Sequence, residues 1–362
     1  MLYRRRRLRA VTHFLRIQTQ PSRSGKVAAG EEASSRGAGD MPSPSPTGTM
    51  AGETSLTRVK VRQELNMTPE SVQRDVQHIK SWLRSQPNLP PLTGAVDEEY
   101  WIENYLILNK GRVERAITNL DLYFKCRTVL SEIFADRDPY SDAMQNSYKA
   151  TCLAMVPRLT DKGHRIWIYS HFTSQVSAFD PLCLGKRLFA MIDIYLYEGI
   201  DRTGTVIICD LANTRLGHLT RYPLKIMKKA FDYGWAAYPE RIPQIHIINP
   251  PAYLAAVMAF IRPFLKEKMR NRIKVHSKLN SLYQMIPRTH LPSDYGGECA
   301  SLKELNDDWI KKMIAYRDWL YISGNQHKAK EPEKPSAKNR DVHISHDETE
   351  HFNISFKNLV VD

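Results

Sequence analysis

Short apolar runs of strand length alternate with longer amphipathic runs between residues 150 and 285. The pattern predicts strands at residues 152–156, 165–169, 204–209, 244–248 and 272–276. It predicts helices between and after them at residues 182–198, 218–237, 252–261 and 277–285. Because parallel strands need long connections, which are usually helical, this alternation predicts an α/β fold in which crossover helices connect the strands of one sheet.

A small helical module is predicted ahead of this sheet, over residues 58–137. Residues 68–70, with the sequence Thr-Pro-Glu, form a helix-start signal. The apolar residues that follow it recur at helical spacing: Val72, Val76, Ile79 and Leu83. Asp97 is the predicted cap of a second helix, and a third helix is predicted over residues 113–134. The sheet domain is then expected to occupy residues 138–322.

Both ends of the chain lack the apolar residues that a core needs. Residues 18–57 are rich in Ser, Gly, Pro and Ala, and residues 323–362 are polar. A disordered basic leader is therefore predicted over residues 1–57 and a disordered tail over residues 323–362. Residues 1–30 hold eight Lys or Arg and no acid, which leaves 13 − 8 = +5 of the formal charge of +13 for the rest of the chain. The same residues are compatible with a mitochondrial transit peptide, and Met50 is an alternative functional start.

Composition and cysteine spacing exclude several classes of protein. A chain of 362 residues with 42% hydrophobic and 25% charged residues is typical of a globular protein. No RNP, zinc-finger or basic-zipper motif accompanies its basic charge, so nucleic acid is not an expected partner. The five cysteines stand at least 26 residues apart and predict neither a disulfide framework nor a zinc site. We therefore expect a reduced, cytoplasmic protein without a metal or another cofactor.

Residues 250–278 join an apolar helix directly to a basic segment. Asn249 is the predicted cap of this helix. Its apolar positions share one face: Leu254, Val257, Met258 and Ile261. The apolar run is too short to span a membrane, which takes ~20 residues. Residues 262–278 hold seven Lys or Arg against one acid, which indicates a helix that covers an apolar surface and meets a membrane. A core helix followed by a solvated surface has the same pattern.

No motif that usually marks catalysis on an α/β sheet is present in this region: there is no G-x-S-x-G elbow, no Walker sequence and no G-x-G-x-x-G. Asp210 ends the predicted central strand, and His171 and His246 lie on or beside neighbouring strands. One interpretation is a catalytic Asp–His pair. The favoured one is a carboxylate that caps the next turn, with histidines bonded to the backbone. The sequence therefore predicts a protein that is not an enzyme.

Four segments occur in an order that is typical of one family: SWLRSQPNLP, DRTGTVIICDL, RIPQIHIINPPAYLAAVMAFIRPFLKEKMRNRIKVHS and LPSDYGGE. The chain resembles the CRAL-TRIO lipid-binding family, in particular the animal subgroup that is similar to alpha-tocopherol transfer protein and retinaldehyde-binding protein. The similarity covers about residues 60–320 and is most specific over residues 245–298. The resemblance implies a cavity for one hydrophobic molecule, with a sheet as its floor, and a mobile gate helix at residues 251–264.

The resemblance also implies which side chains bind the ligands. The family's pocket positions fall here on Ile207, Cys209, Tyr233, Ile245, Leu254, Val257, Met258 and Ile261. The subgroup's site for phosphatidylinositol bisphosphate falls on Arg241, Lys268 and Arg272, all of which are basic. Two positions depart from the subgroup: Pro243 stands where a fourth basic residue is usual, and Pro250 stands where relatives usually have Glu.

The expected function is intracellular binding and transfer of a small hydrophobic lipid, with phosphoinositide binding at the basic patch beside the gate. A tocopherol, a retinoid, a sterol-like molecule and a phospholipid all fit a cavity described only by Ile, Val, Met and Tyr. The protein is expected to be cytoplasmic, to associate transiently with membranes and to have no transmembrane segment. The alternatives are a ligand-free signalling scaffold of the same fold, a hydrolase, and a mitochondrial location if the leader is a transit peptide.

Overall fold

The computed structural model describes residues 58–92, 97–255, 258 and 267–330. The predicted leader and most of the predicted tail lie outside these residues, and so do two of the predicted gate residues, Val257 and Ile261. Within the described residues the chain forms a helical module and an α/β sheet, which confirms the predicted fold class.

The helical module starts with a helical segment at residues 58–64. It continues with α1 (Pro69–Ser85), α2 (Glu98–Leu108), α3 (Val113–Val129) and α4 (Ser131–Phe134). Both predicted caps are confirmed, because the side chains of Thr68 and Asp97 accept hydrogen bonds from backbone N–H groups of the first turns of α1 and α2. The prediction of one continuous third helix is wrong: Leu130, with φ −117° and ψ 43°, separates α3 from α4.

The sheet domain contains both strands and helices. The strands are β1 (Thr151–Met155), β2 (His164–His171), β3 (Gly204–Asp210), β4 (Ile245–Ile248) and β5 (Ile273–His276). The helices are α5 (Asp142–Ala150), α6 (Pro181–Glu198), α7 (Leu216–Thr220), α8 (Leu224–Lys229), α9 (Glu267–Arg270), α10 (Leu279–Tyr283), α11 (Leu302–Ala315) and α12 (Arg317–Asn325). A π-helical turn, Ala230–Trp235, directly follows α8.

The strands lie in the sheet in the order in which they occur along the chain, from β1 to β5. β1 pairs with β2 in antiparallel orientation, and all the other neighbouring strands are parallel. In this register Ile207, Ile245 and Ile273 lie opposite one another on three successive strands. Helices occur in each parallel connection, as expected for a sheet with crossover helices.

Two helical regions differ from the prediction. The helix expected at residues 218–237 is divided into α7, α8 and the π-helical turn. Pro223, with ψ 97°, stands directly before α8. A proline has no N–H to donate to the preceding turn, so the helix breaks here. The sequence interpretation also did not include α11. Its start carries a capping box, in which Ser301 and Glu304 bond reciprocally, and this Ser-x-x-Glu spacing is visible in the sequence.

A buried ionic cluster joins the helical module to the sheet domain. Arg127 of α3 and Arg137 each donate to the carboxylate of Asp193 on α6 over 2.8 Å, and all three side chains are at most 1% exposed. Burial alone would raise the pKa of Asp193, but the two guanidinium cations outweigh it and hold this pKa below its ordinary value. The carboxylate therefore stays charged, and it fixes α6 against the module.

The tail was predicted to be disordered from residue 323, and this is wrong for residues 323–330. The helix α12 continues to Asn325, and the side chains of Ser323 and His327 are fully buried. The Nδ1 atom of His327 lies 3.0 Å from the hydroxyl of Tyr123 in α3. The tail's polar composition hid this contact, because its few buried groups meet partners that are about 200 residues away in the chain.

Candidate functional site

The two faces of the sheet are covered to different extents. One face, the packed face, carries apolar residues that are at most 3% exposed: Ile166, Ile168, Val206, Ile208 and Ile248. The opposite face, the open face, is covered at Trp167 and Ile247, which are buried. Its other apolar residues on β3 to β5 keep accessible surface: Ile207, Cys209, Ile245, Ile273 and Val275. Val275 is 51% exposed. Strands β3 to β5 therefore present an apolar surface that the rest of the protein does not fully cover.

The open face lies deep in the protein although it is accessible. Burial raises the pKa of the Cys209 thiol to about 12, yet this side chain is only partly buried. Tyr222, which neighbours Cys209, combines partial exposure with a pKa that burial also raises to about 12. A group that is far from bulk water but still touches open space lines a recess. We call this partly covered space over the open face the recess.

The start of the predicted gate lies beside this recess. The backbone N–H of Leu254 donates to the carbonyl of Pro251 over 2.9 Å, and the Leu254 side chain is 9% exposed. The Tyr253 hydroxyl donates to the carbonyl of Thr214, in the segment between β3 and α7, over 3.0 Å. Met258 is half-buried. The described part of the gate is thus held to the carboxyl end of β3 by one side-chain hydrogen bond.

Asn249 does not cap the gate helix as predicted. Its φ of 49° is left-handed, whereas a capping residue has an extended backbone. Its side-chain amide instead donates to Asp210 over 2.9 Å, and the Tyr295 hydroxyl donates to the other oxygen of the same carboxylate over 3.0 Å. The end of β3 therefore anchors the chain where it enters the gate.

The catalytic Asp–His pair that the sequence left open is not formed among the described residues. The Asp210 carboxylate accepts only from Asn249, Tyr295 and the N–H of Ala212. His246 is bonded instead to His276, with 2.9 Å between their ring nitrogens. This arrangement is a hydrogen-bond network around the end of β3 and between β4 and β5.

Two of the predicted pocket residues, Tyr233 and Ile207, lie in surroundings that the prediction did not include. Tyr233 lies on the π-helical turn and is 37% exposed. Ile207 also borders a cavity of about 30 Å³ next to α2 and α6, and none of the other predicted pocket residues borders it. Pockets for drug-sized ligands measure ~300–1,000 Å³. This small cavity lies between the open face and α6, because its lining includes the open-face register partners Trp167 and Ile207 together with Ile192 of α6. It is much smaller than a pocket for a drug-sized ligand.

Two of the predicted phosphoinositide residues, Arg241 and Arg272, lie close together at the amino ends of β4 and β5. The guanidinium of Arg272 donates to the carbonyl of Ile242 over 2.5 Å, and the Arg272 carbonyl accepts from the Ile245 N–H over 2.9 Å. This places Arg272 beside Arg241, which is exposed. Lys268 is exposed on α9, four residues before Arg272. Among the described residues, no acidic side chain forms an ion pair with any of these three basic side chains.

A further cation, which the sequence interpretation missed, lies at the same edge of the sheet. Burial lowers the pKa of His164, and the nearby cations of Arg241 and Lys162 lower it further. A Cβ at Gly204 would lie 3.3 Å from Pro243 and 3.4 Å from His164, so these two side chains flank the same glycine. Lys162, in the turn before β2, thus supplies positive charge beside His164, at the same edge of the sheet as Pro243.

The described residues show neither a metal site nor a membrane-spanning helix. Within residues 58–92, 97–255, 258 and 267–330, no three His, Cys, Asp or Glu side chains are grouped so that they could hold a metal ion. In the same part of the chain, no helix combines the length and the apolar character that crossing a membrane requires.

Comparison with known proteins identifies the family. Residues 150–297 match the CRAL/TRIO domain, and residues 68–144 match the Pinta-like UBA domain. The Mus musculus protein named "Alpha-tocopherol transfer protein-like" is 30% identical over 285 residues, which cover 76% of this chain and 79% of that protein. The chain belongs to the CRAL-TRIO family. Homo sapiens "Clavesin-2" is 26% identical to this CRAL-TRIO chain over 253 residues, which cover 69% of the chain and 76% of clavesin-2.

A solved structure described as "Crystal structure of Sfh5" aligns with a TM-score of 0.42 and 15% identity, over 66% of this chain and 91% of that one. The CRAL/TRIO match spans all the strands of the sheet, and the UBA match spans the helical module from α1 to α4. The open face and the basic patch therefore both lie within the CRAL/TRIO part of the chain.

Proposed function

We propose that this CRAL-TRIO protein binds one small hydrophobic lipid over the open face and transfers it between membranes. The observation that carries the proposal is the recess, over which apolar side chains of β3, β4 and β5 keep accessible surface. A fold that needed this face only as core would cover it as it covers the packed face. The relatives named as tocopherol-transfer-like proteins support transfer as the use of the recess.

The energetics favour exchange at a membrane over release into water. Burying ~400 Å² of apolar ligand surface gains about 10 kcal/mol at ~25 cal/mol/Å², from which several kcal/mol are lost to ordering and association. Release into water forfeits this gain. Release into a bilayer does not, because the lipid tails replace the apolar recess. The protein therefore unloads where the gate meets lipid.

The proposal includes a phosphoinositide headgroup, such as that of phosphatidylinositol bisphosphate, at Arg241, Lys268 and Arg272. Two of these side chains are exposed and none has an acidic partner among the described residues, so their charge is available to an anion. Each Lys or Arg near an anionic leaflet contributes ~1 kcal/mol. The patch residues flank the gate in the chain, with Arg241 before it and Lys268 and Arg272 after it, and headgroup binding there would bring the gate to the membrane from the cytoplasm.

Catalysis is not part of the proposal. Burial raises the pKa of each cysteine above its ordinary value, to about 12 for four of them, so the thiols stay protonated at neutral pH. The strand-end Asp210 is occupied by structural hydrogen bonds. The site therefore has the properties of a binding site, with neither a metal nor another cofactor required.

Lipid extraction and mass spectrometry of the purified full-length chain test the recess. We expect about one lipid molecule per protein chain. Cys209→Trp fills the recess and should remove most of this lipid, whereas Tyr321→Trp, at a position that is 65% exposed, should not. A folded wild-type protein that carries no lipid and takes up none from vesicles would instead support the signalling-scaffold alternative.

Vesicle flotation tests the basic patch. Arg241→Glu combined with Lys268→Glu reverses two exposed charges and should weaken binding to vesicles of phosphatidylcholine with phosphatidylinositol bisphosphate at least tenfold. The matched control is Lys303→Glu combined with Lys311→Glu, which makes the same charge change on α11, where both side chains are more than three-quarters exposed. Equal losses in both double variants would mean that only net charge matters and that no headgroup site exists.

A further inference from the structure

A histidine lies among the cations at the amino ends of the parallel strands, and the proposed phosphoinositide site has not used it. His164 is the first residue of β2 and the register partner of Gly204, the first residue of β3. A Cβ at Gly204 would lie 3.4 Å from Cδ2 of the His164 ring and 2.9 Å from the carbonyl oxygen of Arg241. His164 and Arg241 therefore flank the same glycine, which has no side chain to separate them.

Hydrogen bonds hold three chain segments of this edge together. The hydroxyl of Thr203 donates to the carbonyl of Lys162 over 2.9 Å, and the Thr203 N–H donates to the carbonyl of Gly163 over 2.9 Å. The N–H of Thr205 donates to the carbonyl of Arg241 over 2.8 Å. The two segments that carry Lys162 and Arg241 are thus fixed to the start of β3 before a ligand binds, which lowers the ordering cost of binding.

The imidazole ring of His164 is available to a ligand. The ring is partly exposed, and no group of the described residues forms a hydrogen bond with either of its nitrogens. Burial lowers the pKa of His164, and the positive charges of Arg241 and Lys162 lower it further. The ring is therefore uncharged at neutral pH and keeps one nitrogen that can take up a proton. An anion bound between the ring and these cations would raise the same pKa.

Three cations and two acids lie around this ring. The cations are Arg241, Lys162 and Arg272, whose guanidinium bonds to the carbonyl that follows Arg241. The acids are Glu64 of the helical segment, which acts on the ring, and Asp161, which precedes Lys162 in the chain. Among the described residues, none of these five side chains forms an ion pair. The net charge is thus 3 − 2 = +1, and one proton on the imidazole doubles it to +2.

A phosphate group fits this arrangement better than a carboxylate does. A phosphate monoester carries up to two negative charges and three acceptor oxygens, so it can accept from an imidazolium and a neighbouring ammonium or guanidinium at once. Pro243 flanks the same glycine as His164 but supplies neither a charge nor an N–H. Lys162 and a protonated His164 can therefore supply the positive charge that Pro243 does not.

We propose that Lys162 and His164 belong to the phosphate-binding site of Arg241 and Arg272, and that proton uptake by His164 tightens the site on phosphoinositide headgroups in mildly acidic conditions. This inference rests on the proposed phosphoinositide function and adds a regulation to it. A surface potential of about −30 mV concentrates protons roughly threefold at an anionic leaflet. The site therefore binds more tightly at the membrane surface than it would at the pH of the bulk solution.

The first test compares full-length wild-type protein with His164→Asn, which cannot take up the proton. Affinity for vesicles of phosphatidylcholine with phosphatidylinositol bisphosphate is measured at about pH 7.5 and about pH 6. The ratio of wild-type to variant affinity should be close to one at the higher pH and reach roughly three- to tenfold at the lower pH. The phosphates also gain protons here, because their second pKa is about 6, but this affects both proteins equally and cancels in the ratio.

The second test removes a permanent charge and changes the form of the ligand. Lys162→Gln should weaken binding to the same vesicles roughly fivefold at both pH values. Lys303→Gln on α11, where the side chain is 77% exposed, is the matched control and should have no effect. Soluble inositol trisphosphate, the headgroup without its lipid, should show the same rise in the ratio of wild-type to His164→Asn affinity.

Three results would overturn the inference: a ratio that is independent of pH, equal effects of Lys162→Gln and Lys303→Gln, or a rise with phosphatidylserine vesicles that inositol trisphosphate does not show. The last result would mean attraction to a charged surface without a phosphate site at His164. Each of them leaves the proposed headgroup function in place if Arg241→Glu combined with Lys268→Glu still abolishes the preference for bisphosphate vesicles. Wild-type protein that binds bisphosphate vesicles no more tightly than phosphatidylserine vesicles of equal charge overturns that function itself.

Discussion

The two faces of this sheet carry similar apolar residues but are covered to different extents. On the packed face Ile208 is completely buried, while one residue earlier on the open face Ile207 keeps accessible surface. Both faces carry Ile, Val and Cys, and hydrophobicity alone does not distinguish them. The comparison teaches that an apolar residue in a sequence indicates a side chain that is more stable when it is buried. It does not indicate whether protein or a ligand buries it.

The largest expected difference between the faces is in stability. Ile208→Ala removes atoms from a filled interior and should lower the free energy of unfolding by about 2–5 kcal/mol. Ile207→Ala borders open space, so little new cavity is created, and we expect a loss below about 1.5 kcal/mol. Urea unfolding of the lipid-free protein gives both values. Equal losses would show that the open face is covered by protein in solution.

Acid should destabilise both faces through their histidines. His246, of the packed interior, and His171, of the open face, have pKa values that burial lowers from 6.5 to about 4. The unfolded chain therefore binds more protons than the folded one between these values. Stability is complete above pH 6.5 and should fall by about 3 kcal/mol per histidine as the pH falls to 4, at ~1.4 kcal/mol per pKa unit.

The measurement for this prediction is urea unfolding between pH 7 and pH 4. His246→Gln should make the fall in the free energy of unfolding smaller by the contribution of one histidine. Bound lipid should make the fall in stability with pH steeper only through His171, because of these two histidines only His171 lies on the open face. A stability that does not change over this range would contradict the buried, neutral state of both rings.

The smallest expected effect is a difference in thiol reactivity. Cys209 on the open face and Cys152 on the packed face both have a pKa of about 12, so they contain equal fractions of thiolate. Only access differs, because Cys152 is fully buried. In a Cys299→Ser background, a thiol reagent should modify Cys209 at least several-fold faster than Cys152. Bound lipid should remove the difference, and equal rates without lipid would mean that the recess is closed.

Much of the fold follows from local patterns that the sequence shows directly. Residues 206–209 form a continuous apolar run within the predicted strand 204–209, and the structure extends this strand by one residue, to Asp210. The caps at Thr68 and Asp97 are short-range signals, and both occur as predicted. The break at Leu130 was not predictable in the same way, because an apolar residue continues the helical periodicity while tertiary contacts determine the backbone.

The site was less predictable than the fold. The open-face positions Ile207, Cys209 and Ile245 could be placed on one face by alternation, but their accessibility depends on which elements pack above them. The sequence interpretation did not place Tyr169 or His171 on the open face, although alternation places them there once the register of β2 against β3 is known. Register is a long-range property, and one sequence does not specify it.

The end of the described chain has a consequence for biosynthesis. The N–H of Ala329 donates to the carbonyl of Phe124 in α3, and Lys330 bonds to Asn88. A ribosome that adds about 5–20 residues per second completes α3 roughly 10 s or more before it reaches these partners. During that interval the nascent module lacks part of its own packing and is a natural client for chaperones. The helical module is thus translated before the sheet domain but completes its packing only after the sheet domain has been translated.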